Sequence, residues 1–313
     1  MSADDSASRK RLKTGERSCD SFLICGGLYI DEIHEVAHFP KEDAAVRALA
    51  IHRRRGGNAA NTAVVLAQLL PVDRVRWMGC LPAASADAQF GLDDLSANGV
   101  DSTLCERVAG VAEPVGVPTA LIISSRATGS RTIVSSRRGL RELSPSHFAA
   151  GLPSEPQWVH LEAREPRTVG QMAQEVADRR KGGAAHQPWR LSIEIEKPAI
   201  TVGDALSLVV HAEAAFFSRD WIEAHAAELL KGSEDTAGTD TAGTDTAGTD
   251  TAGTDTAGTD TDAAASSGGA AAVADHIGLR CLRALEMASD ARAHVDTNRV
   301  DERVWIVGWG VST

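Results

Sequence analysis

Long apolar runs are missing from this sequence. Nowhere in its 313 residues is there a stretch near the ~18 apolar positions that a membrane-crossing helix needs. The longest candidate, Thr119 to Ser124, is strand-sized. Paired cysteines are missing too. Cys19, Cys25, Cys80, Cys105 and Cys281 are odd in number, scattered, and form no C-x-x-C, as in a reduced intracellular protein. Met1 to Ser21 has no apolar core, so it does not read as a secretion signal. Its Lys and Arg are mixed with Asp4, Asp5, Glu16 and Asp20, unlike a transit peptide. Residues 1–20 are expected to form a disordered tail, and the protein to be cytoplasmic. The absence of G-x-x-x-x-G-K-[ST] excludes a P-loop enzyme. No zinc-type Cys/His spacing and no G-x-S-x-G occur either.

A strong field of either sign is also absent, once the acids are located. The formal net charge is −11, with 43 acids. Eight of these (Glu234, Asp235, Asp240, Asp245, Asp250, Asp255, Asp260, Asp262) fall in residues 234–262, which hold no Lys or Arg. The other 35 acids face all 32 bases, a balance of −3. Nothing here points to a nucleic-acid or membrane partner. Apolar residues make up 43% and charged residues 24%, which excludes a wholly disordered or collagen-like chain. The length allows one large domain or two ordinary ones.

Residues 236–260 are five copies of Thr-Ala-Gly-Thr-Asp, followed by a small-residue tract, Ala263 to Ala272. With no large apolar side chain this stretch builds no core, so an insert over 233–272 is expected to be a solvated, disordered loop. A metal-binding array is disfavoured, because one Asp per five flexible residues gives little preorganisation.

Elsewhere strands and helices alternate. Strands are expected at Phe22 to Cys25, Val75 to Met78, Trp158 to Leu161, Leu191 to Ile195, Ala214 to Phe217 and Val304 to Trp309. Helices are expected at Asn58 to Leu70 with Asn58 as N-cap, Asp87 to Asn98, Pro166 to Arg180, Ala199 to Val209, Trp221 to Leu230 and Ala274 to Ala288. Ile30 to His38 and Val46 to Arg54 suit exposed strands, and Thr119 to Ser124 with Thr132 to Ser135 suits a hairpin around Gly129. The pattern implies an α/β fold, a mostly parallel sheet with helices on both faces.

Three places go beyond fold. In Arg55-Gly-Gly-Asn-Ala-Ala-Asn61, two glycines open a helix, and Asn58 and Asn61 share one helix face. Each amide offers a donor and an acceptor, which suits a neutral polyol. An ordinary capped helix after a glycine turn fits the spacing equally well. Asp31 and Asp43 are carboxylates able to accept from sugar hydroxyls, or else plain surface acids. Glu162, Glu194 and Glu196 sit at strand ends, where open α/β sheets bind ligands and where a Mg-phosphate group would lie. His34 and His38 share a strand face without a third ligand and are read as surface residues.

These residues carry a resemblance. Cys25-Gly-Gly-Leu-Tyr-Ile-Asp31, Phe39-Pro-Lys-Glu-Asp43, Arg55 to Asn61, Gly129-Ser-Arg-Thr-Ile133, Trp158 to Glu162, Ser192-Ile-Glu-Ile-Glu-Lys-Pro198 and Phe217-Ser-Arg-Asp220 occur in the order found in ribokinase-like (PfkB-type) carbohydrate kinases, and the chain is similar to the ketohexokinase (fructokinase) branch. The resemblance implies a ribokinase-like three-layer αβα domain over 21–313, with a small β-sheet lid of strands at about 30–55. It implies that Asp31, Asp43, Gly57, Asn58 and Asn61 hold sugar hydroxyls. Arg131, Glu162, Glu196, Trp309 and Gly310 would lie on the phosphate and nucleotide side. The implied reaction is ATP-dependent phosphorylation of D-fructose to fructose 1-phosphate, with Mg²⁺ and a candidate K⁺, in a homodimer paired through the lid.

One departure stands out. The family's general-base Asp lies in a Gly-Ala-Gly-Asp segment at a helix start, and no such segment occurs in these 313 residues. The base is expected beyond Thr313, no catalytic residue is assigned, and this chain is expected to bind sugar without turnover. Two alternatives stand beside that reading: a non-catalytic sugar-binding or regulatory partner of a full-length kinase, and a PfkB-type kinase for another sugar or a nucleoside.

Overall fold

The computed structural model describes residues 21–109, 115–155, 157–182, 189–234 and 305–309, the side chains of 230–234 and 305–309 excepted. The expected tail, nearly all of the expected insert, the expected helix Ala274 to Ala288 and Gly310 lie outside the described residues. In chain order the elements are β1 (Phe22–Cys25), β2 (Tyr29–Val36), β3 (Ala50–Gly56), α1 (Asn58–Leu69), β4 (Val75–Met78), β5 (Cys80–Pro82), α2 (Ala86–Ala97), β6 (Glu106–Val108), β7 (Thr119–Ser125), β8 (Arg131–Ser136), α3 (Pro145–Gly151), β9 (Trp158–Glu162), α4 (Pro166–Gly182), β10 (Arg190–Ile195), α5 (Val202–Val209), β11 (Ala214–Ser218), α6 (Arg219–Glu234) and β12 (Trp305–Trp309).

The main sheet has six parallel strands in the order β12-β11-β10-β9-β1-β4. Alternation along β1 sends Leu23 and Cys25 to one face and Ile24 to the other. On the first face they meet Phe148 of α3, Val169 and Met172 of α4, Leu208 of α5 and Trp221 of α6. On the second, Ile24 packs with Trp77, Ala59, Ala60 and Ala63 of α1, and Leu95 of α2. Two apolar cores on opposite faces of one sheet make the three-layer αβα architecture that the alternating pattern implies.

From β1 the chain crosses to β4 on one side, and later elements build outward through β9 on the other. Strand order therefore reverses at β1, which opens a crevice beyond the carboxyl ends of β1 and β9. A second sheet, in the order β3-β2-β7-β8, stands next to it. The hairpin of β7 and β8, closed by Ser125 N donating to Ser130 O at 2.9 Å, supplies two of its four strands. A short sheet of β5 and β6 completes the strands described.

Two ion pairs fasten the second sheet to α2. Arg53 and Arg55 fall on the same face of β3, and Asp87 and Asp94, two helical turns apart, share a face of α2. Arg53 bonds Asp87, and Arg55 Nε bonds Asp94 at 2.5 Å.

Capping differs between the first two helices. Ser85 caps α2, its hydroxyl accepting from Ala88 N at 3.3 Å. Asn58 is not an N-cap, contrary to the sequence reading. Gly57 takes that position with φ 96°, no side chain caps the helix, and the Asn58 amide bonds elsewhere. Cys25, Cys80 and Cys105 are buried free thiols.

Candidate functional site

The start of α1 lies against the ends of β1 and β9, with backbone packed on backbone. A Cβ on Gly57 would collide with the carbonyl oxygen of Gly27, and φ there is positive as well. A Cβ on Gly56 would collide with the Asp31 carboxylate. Close approach to backbone requires glycine at position 57, and the contact at Gly56 places the Asp31 carboxylate of β2 over the helix start. Burial pushes the Asp31 carboxyl above its usual value, and the nearby Arg55 guanidinium offsets part of the rise.

Arg55 joins the cluster through its other end. Its side chain is 7% exposed, and Nη1 donates to Asn61 Oδ1 at 2.8 Å. Asn58 Nδ2 donates to Glu194 Oε1 at 2.8 Å. Asp31, Arg55, Gly56, Gly57, Asn58 and Asn61 thus form one constellation. Asp43 stays apart. It lies in the exposed turn between β2 and β3, with φ 60°, and no hydrogen bond or ion pair among the described residues joins it to the cluster.

Glu162 and Glu194 are cross-strand neighbours at the ends of β9 and β10. Glu162 accepts from Gly27 N at 2.8 Å and from Arg164 Nη1 at 3.0 Å. Burial raises its carboxyl above the ordinary range, opposed by Arg164 and the Gly27 amide. Burial acts to lower Arg164, but Glu162 and Glu142 outweigh it and hold the guanidinium above its usual value. Glu196 lies just past β10, ion-paired with Lys197 at 2.9 Å. Arg131 opens β8 on an exposed rung opposite Ser124 and Glu35, four rungs from Asp31 along the lid, roughly 13 Å at the rise of a strand. Trp309 ends β12 opposite Ser218.

Beside this cluster the crevice holds an open cleft lined by Gly26, Gly27, Tyr29, Glu162 and Arg164 among others. Sequence reading missed Arg164, which also stacks on Tyr29 at 5.2 Å and bonds Glu142. It missed His160 and Ser192 as well. The signal was present: polar residues fall at every second position of two otherwise apolar strands, His160 and Glu162 in β9, Ser192 and Glu194 in β10. All four point to one face, and the registers pair Ser192 with His160 and Glu194 with Glu162.

Among the described residues no group of three His, Cys, Asp or Glu could hold a metal, and Glu162 and Glu194 are engaged by protein partners. No helix among those residues is long and apolar enough to cross a membrane.

A three-layer α/β domain, with its crevice at the switch point and a second small sheet beside it, is the frame of a ribokinase-like protein. Residues 21–235 match the family model described as pfkB family carbohydrate kinase, and the chain belongs to that family. It is 31% identical to mouse (Mus musculus) ketohexokinase over 217 residues, covering 67% of this chain and 69% of that protein. Two solved structures share the fold. Ribokinase from Giardia lamblia aligns with TM-score 0.52 and 16% identity over 70% of this chain and 60% of that one. Arabidopsis thaliana ribokinase, complexed with ribose and ATP, aligns with TM-score 0.50 and 15% identity over 67% and 63%. The chain therefore spans less than two thirds of the length of these solved relatives.

Proposed function

We propose that this chain supplies the acceptor side of a kinase that moves the γ-phosphoryl group of ATP to the 1-hydroxyl of D-fructose. The observation that carries the reading is the gathering of Asp31, Asn58 and Asn61 around a helix start kept bare by Gly56 and Gly57. A carboxylate and two amides are partners for hydroxyls, and the glycines let a small polyol meet the backbone. Fructose, rather than ribose or a nucleoside, is favoured by the likeness to ketohexokinase. On this reading Asp43 reaches the sugar when the turn after β2 folds over it. Arg131, Glu162, Glu196, Trp309 and Gly310 serve the phosphate and nucleotide side. The lid strands pair two copies.

The chain's own residues would bind and orient the sugar and exclude water from it. They do not include the Asp of a Gly-Ala-Gly-Asp segment. General-base help is worth ~10²–10⁴-fold, so these 313 residues are expected to bind without useful turnover. Calorimetric titration with D-fructose, D-ribose and a nucleoside, alongside a coupled assay for ADP, tests both parts. Saturable fructose binding without ADP release is expected. Tighter binding of ribose or the nucleoside would overturn the substrate, and robust ADP release would overturn the absence of turnover.

A further inference from the structure

Each amide at the glycine-opened helix start is held by a group that bonds in only one sense. Glu194 lies 2.8 Å from the Asn58 side chain. The Asn58 NH₂ donates to the Glu194 carboxyl oxygen, which leaves Asn58 Oδ1 on the other side. Arg55 Nη1 lies 2.8 Å from the Asn61 side chain. A guanidinium only donates, so Asn61 must turn Oδ1 to Arg55 and leave its NH₂ outward. The chemistry of the neighbours fixes both amide orientations.

A buttress stands behind Glu194. The Trp158 indole N–H donates to Ser192 Oγ at 2.9 Å. The Ser192 hydroxyl also lies 2.9 Å from His160 Nδ1. If it donates there, the His160 proton sits on Nε2, which faces the second oxygen of Glu194 at 3.5 Å. The other tautomer would set a bare ring nitrogen against a carboxylate. Nε2 has no hydrogen-bond partner among the described residues, and the Glu194 carboxylate is the acidic group it faces. Ser192, His160 and Glu194 are 3%, 7% and 2% exposed, and in such burial the polarity of each contact counts for more than it would in water.

We infer that Glu194 is a positioning residue which, together with Arg55, sets Asn58 as a hydrogen-bond acceptor and Asn61 as a donor toward the sugar. The inference rests on the proposed sugar site. The helix start then reads two hydroxyls in a fixed sense: one gives its proton to Asn58 Oδ1, and the other receives one from Asn61 Nδ2. A ligand with fluorine or an ether oxygen at the first position sets acceptor against acceptor and is rejected.

A swap of polarity tests this in four forms of the 313-residue chain: wild type, Glu194→Gln, Asn58→Asp, and the double variant. In Glu194→Gln the His160 side keeps the amide oxygen, so the new NH₂ faces Asn58 and turns its Oδ1 inward, and fructose affinity measured by calorimetry falls about tenfold or more. Asn58→Asp sets two carboxylates together and falls at least as far. In the double variant an amide at position 194 again faces a carboxylate at position 58, with donor and acceptor exchanged between the two sites. The carboxylate at position 58 still offers the sugar an acceptor, and affinity returns to within about threefold of wild type. A double variant as weak as the single ones overturns the inference. Melting temperatures of the four separate lost folding from lost polarity.

A readout without sugar keeps the two readings distinguishable. The Asn58 side-chain NH₂ signal in a ¹⁵N spectrum, identified by its loss in Asn58→Asp, is expected at low field and protected from exchange. Glu194→Gln should remove both features. An unprotected signal in wild type overturns the positioning role whatever the protein binds. A protected signal with no binding of fructose, ribose or nucleoside upholds the Glu194–Asn58 contact and overturns the sugar site.

Discussion

Asp31 shows how one residue is placed against its own preference. Its carboxylate is crowded over Gly56, and burial raises its proton affinity in the folded chain. A carboxyl whose folded value is raised contributes most to stability when protonated, below its unfolded value. That contribution is lost as pH rises through the folded value. Asp31→Asn removes the ionisable group, so at neutral pH the variant should melt higher than wild type, by about 1–2 °C given the partial exposure of the site. The gap should close as pH falls below about 4. Fructose affinity should drop about tenfold or more in the same variant, because the neutral amide offers a weaker acceptor. Thermal melts across pH, paired with calorimetry, measure both. A variant that is less stable at neutral pH and binds fructose as wild type would contradict this account of Asp31.

At the scale of elements, the short strand β6 and the helix α3 are tied by one carboxylate. Arg141 meets Glu106 in a two-pronged contact, at 2.9 Å and 2.7 Å. Ser144, the N-cap of α3, donates to Glu106 from both its amide (2.9 Å) and its hydroxyl (2.8 Å). Burial acts to raise Glu106, but these bonds prevail and bring it from 4.5 down to about 2. A depressed carboxyl stabilises the fold above its unfolded value, and that stability is lost as pH falls through the folded value. Glu106→Gln should cost about 1–3 kcal/mol at pH 7 in denaturant melts. It should also flatten the acid-driven loss of stability expected of wild type between about pH 5 and 2. An unchanged slope in that window would show that another group governs acid unfolding.

The elements of this region were the ones the sequence hid. β5, β6 and α3 are only 3, 3 and 7 residues long, too short for a hydrophobic period to declare itself. By contrast β1 and β4 were legible to the residue, β1 as a continuous apolar run and β4 as an apolar run broken only by the half-buried Arg76. The candidate site was half legible. Gly56, Gly57, Asn58 and Asn61 announce themselves by spacing, since two glycines before a helix are rarely placed by packing alone. Arg55 stands in the same short segment as Asn61, but Glu194 comes from 136 residues away from Asn58, and no local pattern joins those two.

At the scale of the molecule, the lid leaves apolar side chains in water. The register sets Leu121 and Val134 opposite each other on one face, exposed by 40% and 61%, and Ile51 at 64% lies one rung pair further along that face. The edge strand β8 is exposed throughout. These features support the proposed pairing of two lids. Val134→Glu should convert a dimer to a monomer by light scattering at micromolar concentration while leaving the melting of the αβα domain near wild type. A monomeric wild type would end the pairing reading.

The crowding at Gly26, Gly56 and Gly57 also bears on how such a protein could acquire a new ligand. Side chains of Glu162 and Asp31 and the carbonyl of Gly27 already fill the space a methyl group would need. The floor of the recess is thus closed to gradual change, and any drift in preference must be written in its walls. Mutational libraries aimed at new sugars should therefore leave residues 56 and 57 alone and vary Arg55, Glu194 and the strands of the flap.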